Sequence, residues 1–305
     1  MSARLACLCL LLAGTISAEE RPNVLFIAVD DMKDWTGYQG GYEGRVLTPH
    51  IDRLAARGRP FLNAHCPSPK CGPSRAAIMH GKRASTLGVY GNGQWLRPNL
   101  PDLVSIPAFF KANGYHTVGA GKIHHHTAGF NPPDQWHDYQ EIDWEDPWDR
   151  PVRSNYPVVR DLPRPQGHPF SGIAIRHEFD WGSLPPDLDY HDIKTADYAV
   201  RFLEQKQDRP FFLACGLFRP HLPWYSPPEF FQKYPLADIA MPPLQPDDLD
   251  DVPKAGKGVV NSREFALIKS KRKYRAAVQA YLAAITFADS QVGRVLDALD
   301  KSAAA

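Results

Sequence analysis

Apolar runs of strand length alternate along this chain with segments of helical period. Asn23-Val24-Leu25-Phe26-Ile27-Ala28-Val29 is continuously apolar and ends in Asp30-Asp31, which predicts a central strand of a parallel sheet, buried on both faces. Thr48 to Gly58 reads as a capped helix, with Thr48 as the cap, Pro49 in the first turn and Gly58 as the stop. Pro73 to His80, closed by Gly81, and Leu103 to Asn113, closed by Gly114, predict two more helices. Tyr115 to Ala120 and Phe211 to Cys215 predict strands. Asp192 to Gln207 predicts a helix with Ala196, Val200 and Leu203 on one face. A last, long helix runs to about Leu299, with Lys271-Arg272-Lys273 as a solvated face of it. The alternation predicts an α/β fold with a mostly parallel central sheet flanked by helices.

Residues 130–190 and 236–262 have no period. Most of the 29 prolines follow residue 130, and aromatic residues are interleaved with them, so these stretches read as ordered loop excursions that set specificity. There is no internal repeat. The N-terminus has a positive start at Arg4, an apolar core from Leu5 to Leu12 and small residues ending at Ala18. This predicts an export leader over residues 1–18 and a periplasmic, extracellular or lysosomal location. The apolar run is too short for a stable membrane insertion. With 35 basic against 34 acidic residues, nothing points to nucleic acid or to an anionic membrane. Beyond the leader, which holds Cys7 and Cys9, only Cys66, Cys71 and Cys215 remain, too few for a disulfide framework. Cys215 reads as a buried core thiol, and Cys66 as a free thiol or a bridge partner.

Two segments carry candidate chemistry. Asp30 and Asp31 lie at the C-terminal end of a strand, where open α/β sheets place ligands. Adjacent carboxylates repel, so a hard cation such as Ca²⁺ or Mg²⁺ is their natural partner, the alternative being a solvated loop start. Cys71-Gly72-Pro73-Ser74-Arg75 puts a cysteine at a helix N-terminus, where unpaired N–H groups favour an anion, and adds a permanent cation at Arg75. A reactive thiol of lowered pKa fits the same setting.

These five residues resemble the signature of the sulfatase family. Arg21 to Asp31 is similar to the family's opening strand, and Thr48 to Ala55 to its first helix. Gly121-Lys122-Ile123-His124-His125 resembles its Gly-Lys-x-(x)-His element. Arg219-Pro220-His221-Leu222-Pro223-Trp224 resembles its basic-Pro-His-x-Pro segment. Pro210 to Ala214 and Glu229 to Leu236 point to the iduronate-2-sulfatase type. The resemblance implies a sulfatase or alkaline phosphatase-like fold and hydrolysis of sulfate from a sulfated carbohydrate. It implies that a formylglycine-generating maturation enzyme oxidises Cys71 to formylglycine, whose hydrate is the nucleophile. Asp30 and Asp31, with an oxygen at position 71, would hold one Ca²⁺. Arg75 would orient the diol. Lys122 and His125 (or His124, where the spacing is shorter) would contact the sulfate and the hydrate. His221 would contact the sulfate or protonate the leaving alcohol.

The family's later Asp-His-Gly or Asp-Asn-Gly segment, which completes the metal site, has no counterpart here. Residues 19–305 are therefore expected to be the N-terminal portion of a sulfatase catalytic domain, truncated at the C-terminus, with an exposed sheet edge. The alternatives are an inactive fragment, a non-hydrolytic binding protein for sulfated glycans, and a phosphoester hydrolase of the alkaline phosphatase superfamily.

Overall fold

The computed structural model describes residues 21–304 apart from 95, 97–99, 126–130, 141–179, 186–189, 258, 259 and 261. The predicted export leader over 1–18 and most of the predicted excursion over 130–190 lie outside the described residues. In chain order the elements are β1 (Val24–Val29), α1 (Pro49–Arg57), α2 (Cys71–His80), α3 (Ala84–Leu87), α4 (Ile106–Ala112), β2 (His116–Gly121) and β3 (Asp138–Gln140). They continue as β4 (Trp181–Ser183), α5 (His191–Leu203), β5 (Phe211–Leu217), β6 (Trp224–Ser226), α6 (Pro228–Gln232), α7 (Lys254–Lys257), α8 (Ser262–Ser270) and α9 (Tyr274–Lys301).

The main sheet is parallel throughout, in the order β1-β5-β2-β3. The α/β expectation therefore holds, and the two-residue period of each strand divides its side chains between two cores. Leu213, Cys215 and Leu217 of β5 pack with Leu25, Ile27 and Val29 of β1 against Ala196, Ala199 and Leu203 of α5 and Val292, Val295 and Leu296 of α9. Phe212 and Ala214, with Val24, Phe26 and Ala28, face Met79 of α2 and Phe110 of α4. Each fully buried aliphatic or aromatic side chain contributes about 1.5–3 kcal/mol of burial, so this double-sided packing is the main stabilising term.

Three expectations are corrected. β5, not β1, is the central strand. Among the described residues β1 pairs only with β5 and is half-buried along its length. An apolar run reports that both faces of a strand are covered, and carries no information about whether both edges are paired. Lys271-Arg272-Lys273 is exposed but lies in the break between α8 and α9, where Arg272 has φ 54°. Helix α4 starts at Ile106 rather than Leu103, because Ser105 accepts the Ala108 N–H at 3.2 Å and caps it.

Helix α1 also begins differently from its sequence signal. Thr48 stands in the cap position without a side-chain cap bond, its hydroxyl accepting the Gly37 N–H at 2.8 Å. The open N-terminus is satisfied from α9. The buried Asp289 carboxylate accepts the N–H of Ile51 at 2.8 Å and of His50 at 3.3 Å. This long-range cap fastens α1 to the sheet-covering helix. Asp289→Ala is expected to lower stability by about 1–3 kcal/mol, because two buried donors lose their acceptor. Denaturant unfolding measures this, and an unchanged midpoint would refute the cap.

Candidate active site

The site forms where β1, β2 and β5 end and the N-terminus of α2 meets them. Parallel pairing of β1 with β5 continues one residue past the strand, the Asp30 N–H donating to the Leu217 carbonyl at 3.1 Å. This places the Asp30 carboxylate under α2. Arg75 Nη2 donates to Asp30 Oδ1 at 2.7 Å, and Lys122 Nζ donates to Asp30 Oδ2. All three side chains are buried. Burial by itself pushes the Asp30 carboxyl up. Lys122 and Arg75 more than offset this and hold it well below the usual carboxylate range.

Glycine explains how Lys122 reaches this position. Gly121 ends β2 at φ 78°, and a Cβ there would lie 2.2 Å from the Gly216 carbonyl oxygen. A Cβ on Gly216 would in turn meet the Lys122 backbone at 2.3 Å. Two facing glycines let the Lys122 N–H donate to the Gly216 carbonyl at 2.8 Å and turn the lysine inward. Arg75 Nη1 then donates to the carbonyls of Lys122 and, at 2.9 Å, Ile123. One arginine thus fixes both the carboxylate and the turn that carries the lysine.

Cys71 is the first residue of α2, two residues ahead of the predicted start, since Pro73 is tolerated within a first helical turn. The Gly72 N–H donates to Asn92 Oδ1 at 2.9 Å. Cys71 Sγ lies 3.9 Å from both Asp30 Oδ2 and Lys122 Nζ. Burial pushes this thiol up, and the Asp30 and Asp31 charges add to the effect against Lys122. A thiolate of lowered pKa, the alternative open from the sequence, is therefore not what this setting favours. Cys215 is the buried core thiol expected, pushed up to about 12 by burial, and Cys66 is an exposed free thiol.

His221 arrives on the segment after β5. The Asp192 carboxylate, in the first turn of α5, accepts the N–H of Phe218 at 2.5 Å and of Arg219 at 3.0 Å. The Phe218 ring lies 4.3 Å from Lys122 Nζ and 4.6 Å from the His221 ring centroid. His221 Nδ1–H donates to the Leu222 carbonyl at 2.5 Å, which leaves the Nε2 lone pair facing Asp31 Oδ2 at 3.6 Å. Burial, and then the Lys122 charge, push His221 down to about 3.

The two neighbouring histidines separate. His124 accepts from Gln135 Nε2 at 3.0 Å inside a buried network that continues through Gln135 to Ser105. His125 is buried, and burial, followed by the Lys122 and Arg75 charges, pushes it down to about 3.

Ligand atoms of Asp30, Asp31, Cys71 and His221 all lie within 4.8 Å of one another. The two carboxylates of this group suit a hard dication, whereas Cys71 Sγ and His221 Nε2 are softer donors. Asp31 is pushed up by burial and by the Asp30 charge, and a cation beside the two carboxylates relieves that repulsion. A cleft of about 690 Å³ opens beside this group, lined by Asp30, Asp31, Lys33, Cys71, Ser74 and Arg75. Asp30, Asp31, Cys71, Arg75, Lys122 and His221 thus come together, while His124 joins the buried network with Gln135. Asp192 and Phe218 escaped sequence reading because they act across the fold and carry no local motif.

A sulfatase from Formosa agariphila is 37% identical over 93% of this chain and 56% of its own length. Iduronate 2-sulfatase from Homo sapiens is 30% identical over 93% of this chain and 52% of its own length. The phosphonate monoester hydrolase of Agrobacterium radiobacter shares the fold, with a TM-score of 0.66 at 20% identity over 93% of this chain and 60% of that one. The chain spans about half the length of the curated relatives it matches. No helix among the described residues is long and apolar enough to cross a membrane. The sequence model of the sulfatase family matches residues 22–304, and the chain belongs to that family.

Proposed function

We propose that the cluster around Cys71 is the hydrolytic site of an exported sulfatase that removes sulfate from a sulfated sugar or polysaccharide. The observation that carries this reading is the convergence of Cys71, Arg75 and Lys122 on Asp30, beside Asp31, His125 and His221. The 30% identity to human iduronate 2-sulfatase supports that subclass. Residues 1–18 act as the leader and 19–305 as the N-terminal portion of the catalytic domain.

Cys71 is the residue that a maturation enzyme converts to formylglycine, and it faces an open cleft that such an enzyme can reach. The hydrated aldehyde supplies a nucleophilic hydroxyl and a second hydroxyl through which sulfate is released. Asp30 and Asp31 hold Ca²⁺, which supplies fixed positive charge for an anionic ester. The chain's own groups do the rest. Lys122, fixed by Asp30 and by the Phe218 ring, stabilises negative charge at position 71 and on a sulfate oxygen. Arg75 holds the carboxylate and the Lys122 turn in place before substrate arrives. His221 starts as a neutral imidazole and contacts the sulfate through Nε2 once that nitrogen takes up a proton. The bound anion raises its proton affinity, which suits it to protonate the leaving alcohol. His125 is the second imidazole of the sulfate pocket, and His124 belongs to the core.

Sulfate release from an aryl sulfate and from a sulfated disaccharide tests the reading, using protein co-expressed with a formylglycine-generating enzyme and saturated with Ca²⁺. Turnover is expected, with Cys71→Ala inactive and Lys122→Ala reduced about 10²–10³-fold in kcat. No turnover by the matured protein would overturn the enzyme reading, and saturable binding of the disaccharide without turnover would establish a glycan-binding protein. Mass spectrometry of the Cys71 peptide reads the modification directly. An unmodified thiol after co-expression would count against it.

The histidines give a second prediction. His124 is pushed from 6.5 to about 3, by burial first and then by His80 and Arg75. A folded-state pKa below the unfolded one gives stability that is present above pH 6.5 and lost as pH falls toward 3. His124→Gln is therefore expected to flatten the loss of Tm between about pH 7 and pH 4 while keeping turnover. His125→Gln is expected to cut kcat about 10²-fold. Melting curves and kinetics on both variants check this, and the opposite pattern would exchange the two roles.

A further inference from the structure

Helix α9 packs against the segment after β1 and also holds it by one hydroxyl. Tyr281 Oη donates to the Asp31 carbonyl at 2.8 Å and accepts the Lys33 N–H at 3.0 Å. Between these bonds Asp31 stands at φ 56°. Aspartate enters this left-handed region more readily than most L residues, but it is a minority conformation that two hydrogen bonds flanking the residue can select. The conformation matters for the side chain. With the backbone turned this way, the Asp31 carboxylate leaves the line of the strand and joins Asp30, Cys71 and His221 in one group of ligand atoms.

The phenol is well placed to hold this turn. Its ring is buried, with Trp35 at 5.4 Å and Trp224 at 5.3 Å on its flanks, so the hydroxyl has a fixed position. Asp30 needs no such help, since strand pairing, Arg75 and Lys122 fix it. Of the two adjacent carboxylates, only Asp31 depends on a contact from outside the sheet for its backbone conformation.

We propose that Tyr281 is the positioning residue for Asp31: its hydroxyl latches the left-handed turn after β1 and thereby sets the affinity of the site for a divalent cation. This rests on the reading that Asp30 and Asp31 hold Ca²⁺. Outer groups that orient a metal-ligating carboxylate typically change metal affinity 10- to 100-fold when removed.

The test is Ca²⁺ affinity of the full chain, measured by competition with a chromophoric chelator, for the wild-type protein, Tyr281→Phe and Tyr234→Phe. Tyr281→Phe keeps the ring, and with it the packing against Trp35 and Trp224. Tyr234→Phe is the structural control. Its hydroxyl also makes two hydrogen bonds, accepting the Leu47 N–H at 2.9 Å and meeting Thr286 Oγ1 at 2.5 Å, but it does not touch Asp31. Thermal unfolding of all three proteins reports the general cost of losing a buried hydroxyl. The expected result is a loss of Ca²⁺ affinity of about 10- to 100-fold in Tyr281→Phe, with wild-type affinity in Tyr234→Phe at a comparable drop in Tm. Equal affinities in wild type and Tyr281→Phe would overturn the latch, and so would equal losses in the two variants. A flat titration of the wild-type protein would overturn the Ca²⁺ reading of Asp30 and Asp31, and the latch with it.

Discussion

The site depends on one buried carboxylate shared by two cations. Asp30 ends β1, Arg75 lies in the second turn of α2, and Lys122 follows β2, yet all three meet below the surface. None of these charges is tolerable alone in such a place, since breaking a buried pair costs about 3–5 kcal/mol. Together the two cations hold the Asp30 carboxyl ionised, and the three side chains fix the relative positions of three elements. The geometry around Cys71 is therefore set by the same interaction that closes the top of the sheet.

That arrangement has an electrostatic consequence. Burial first, and then the Lys122 charge, push His125 and His221 down to about 3. The buried Lys122 and Arg75 are held in fixed positions by the same carboxylate, so their charge is oriented in advance of any ligand. The aromatic residues add to this order. Phe218 lies against both Lys122 and His221, and it is held by the Asp192 carboxylate through its own amide.

Much of this was legible in the residues themselves. The two-residue period in β5 and the apolar run of β1 report a sheet covered on both faces. The helix N-terminus at Cys71, the adjacent carboxylates and the Gly-Lys pair report anion and cation chemistry. What escaped was carried by contacts between distant positions. That β1 pairs only with β5 among the described residues is a matter of pairing, which an apolar run does not encode. The cap of α1 comes from Asp289, 238 residues after Ile51. The latch on Asp31 comes from Tyr281, 250 residues along the chain. Each of these residues looks locally like an ordinary position on the buried face of a helix.

The choice between His124 and His125 marks the boundary between the two kinds of information. Sequence alone determined that the chain is α/β, that Cys71 heads a helix, and that Asp30, Arg75, Lys122 and His221 are the groups to bring together, because strand and helix periods and residue chemistry are local properties. Adjacent histidines after the same lysine are equivalent on that basis. Only the tertiary structure separated them, since the turn after Gly121 sends one ring to Gln135 in the core and leaves the other beside Lys122, a direction set by packing rather than by residue type.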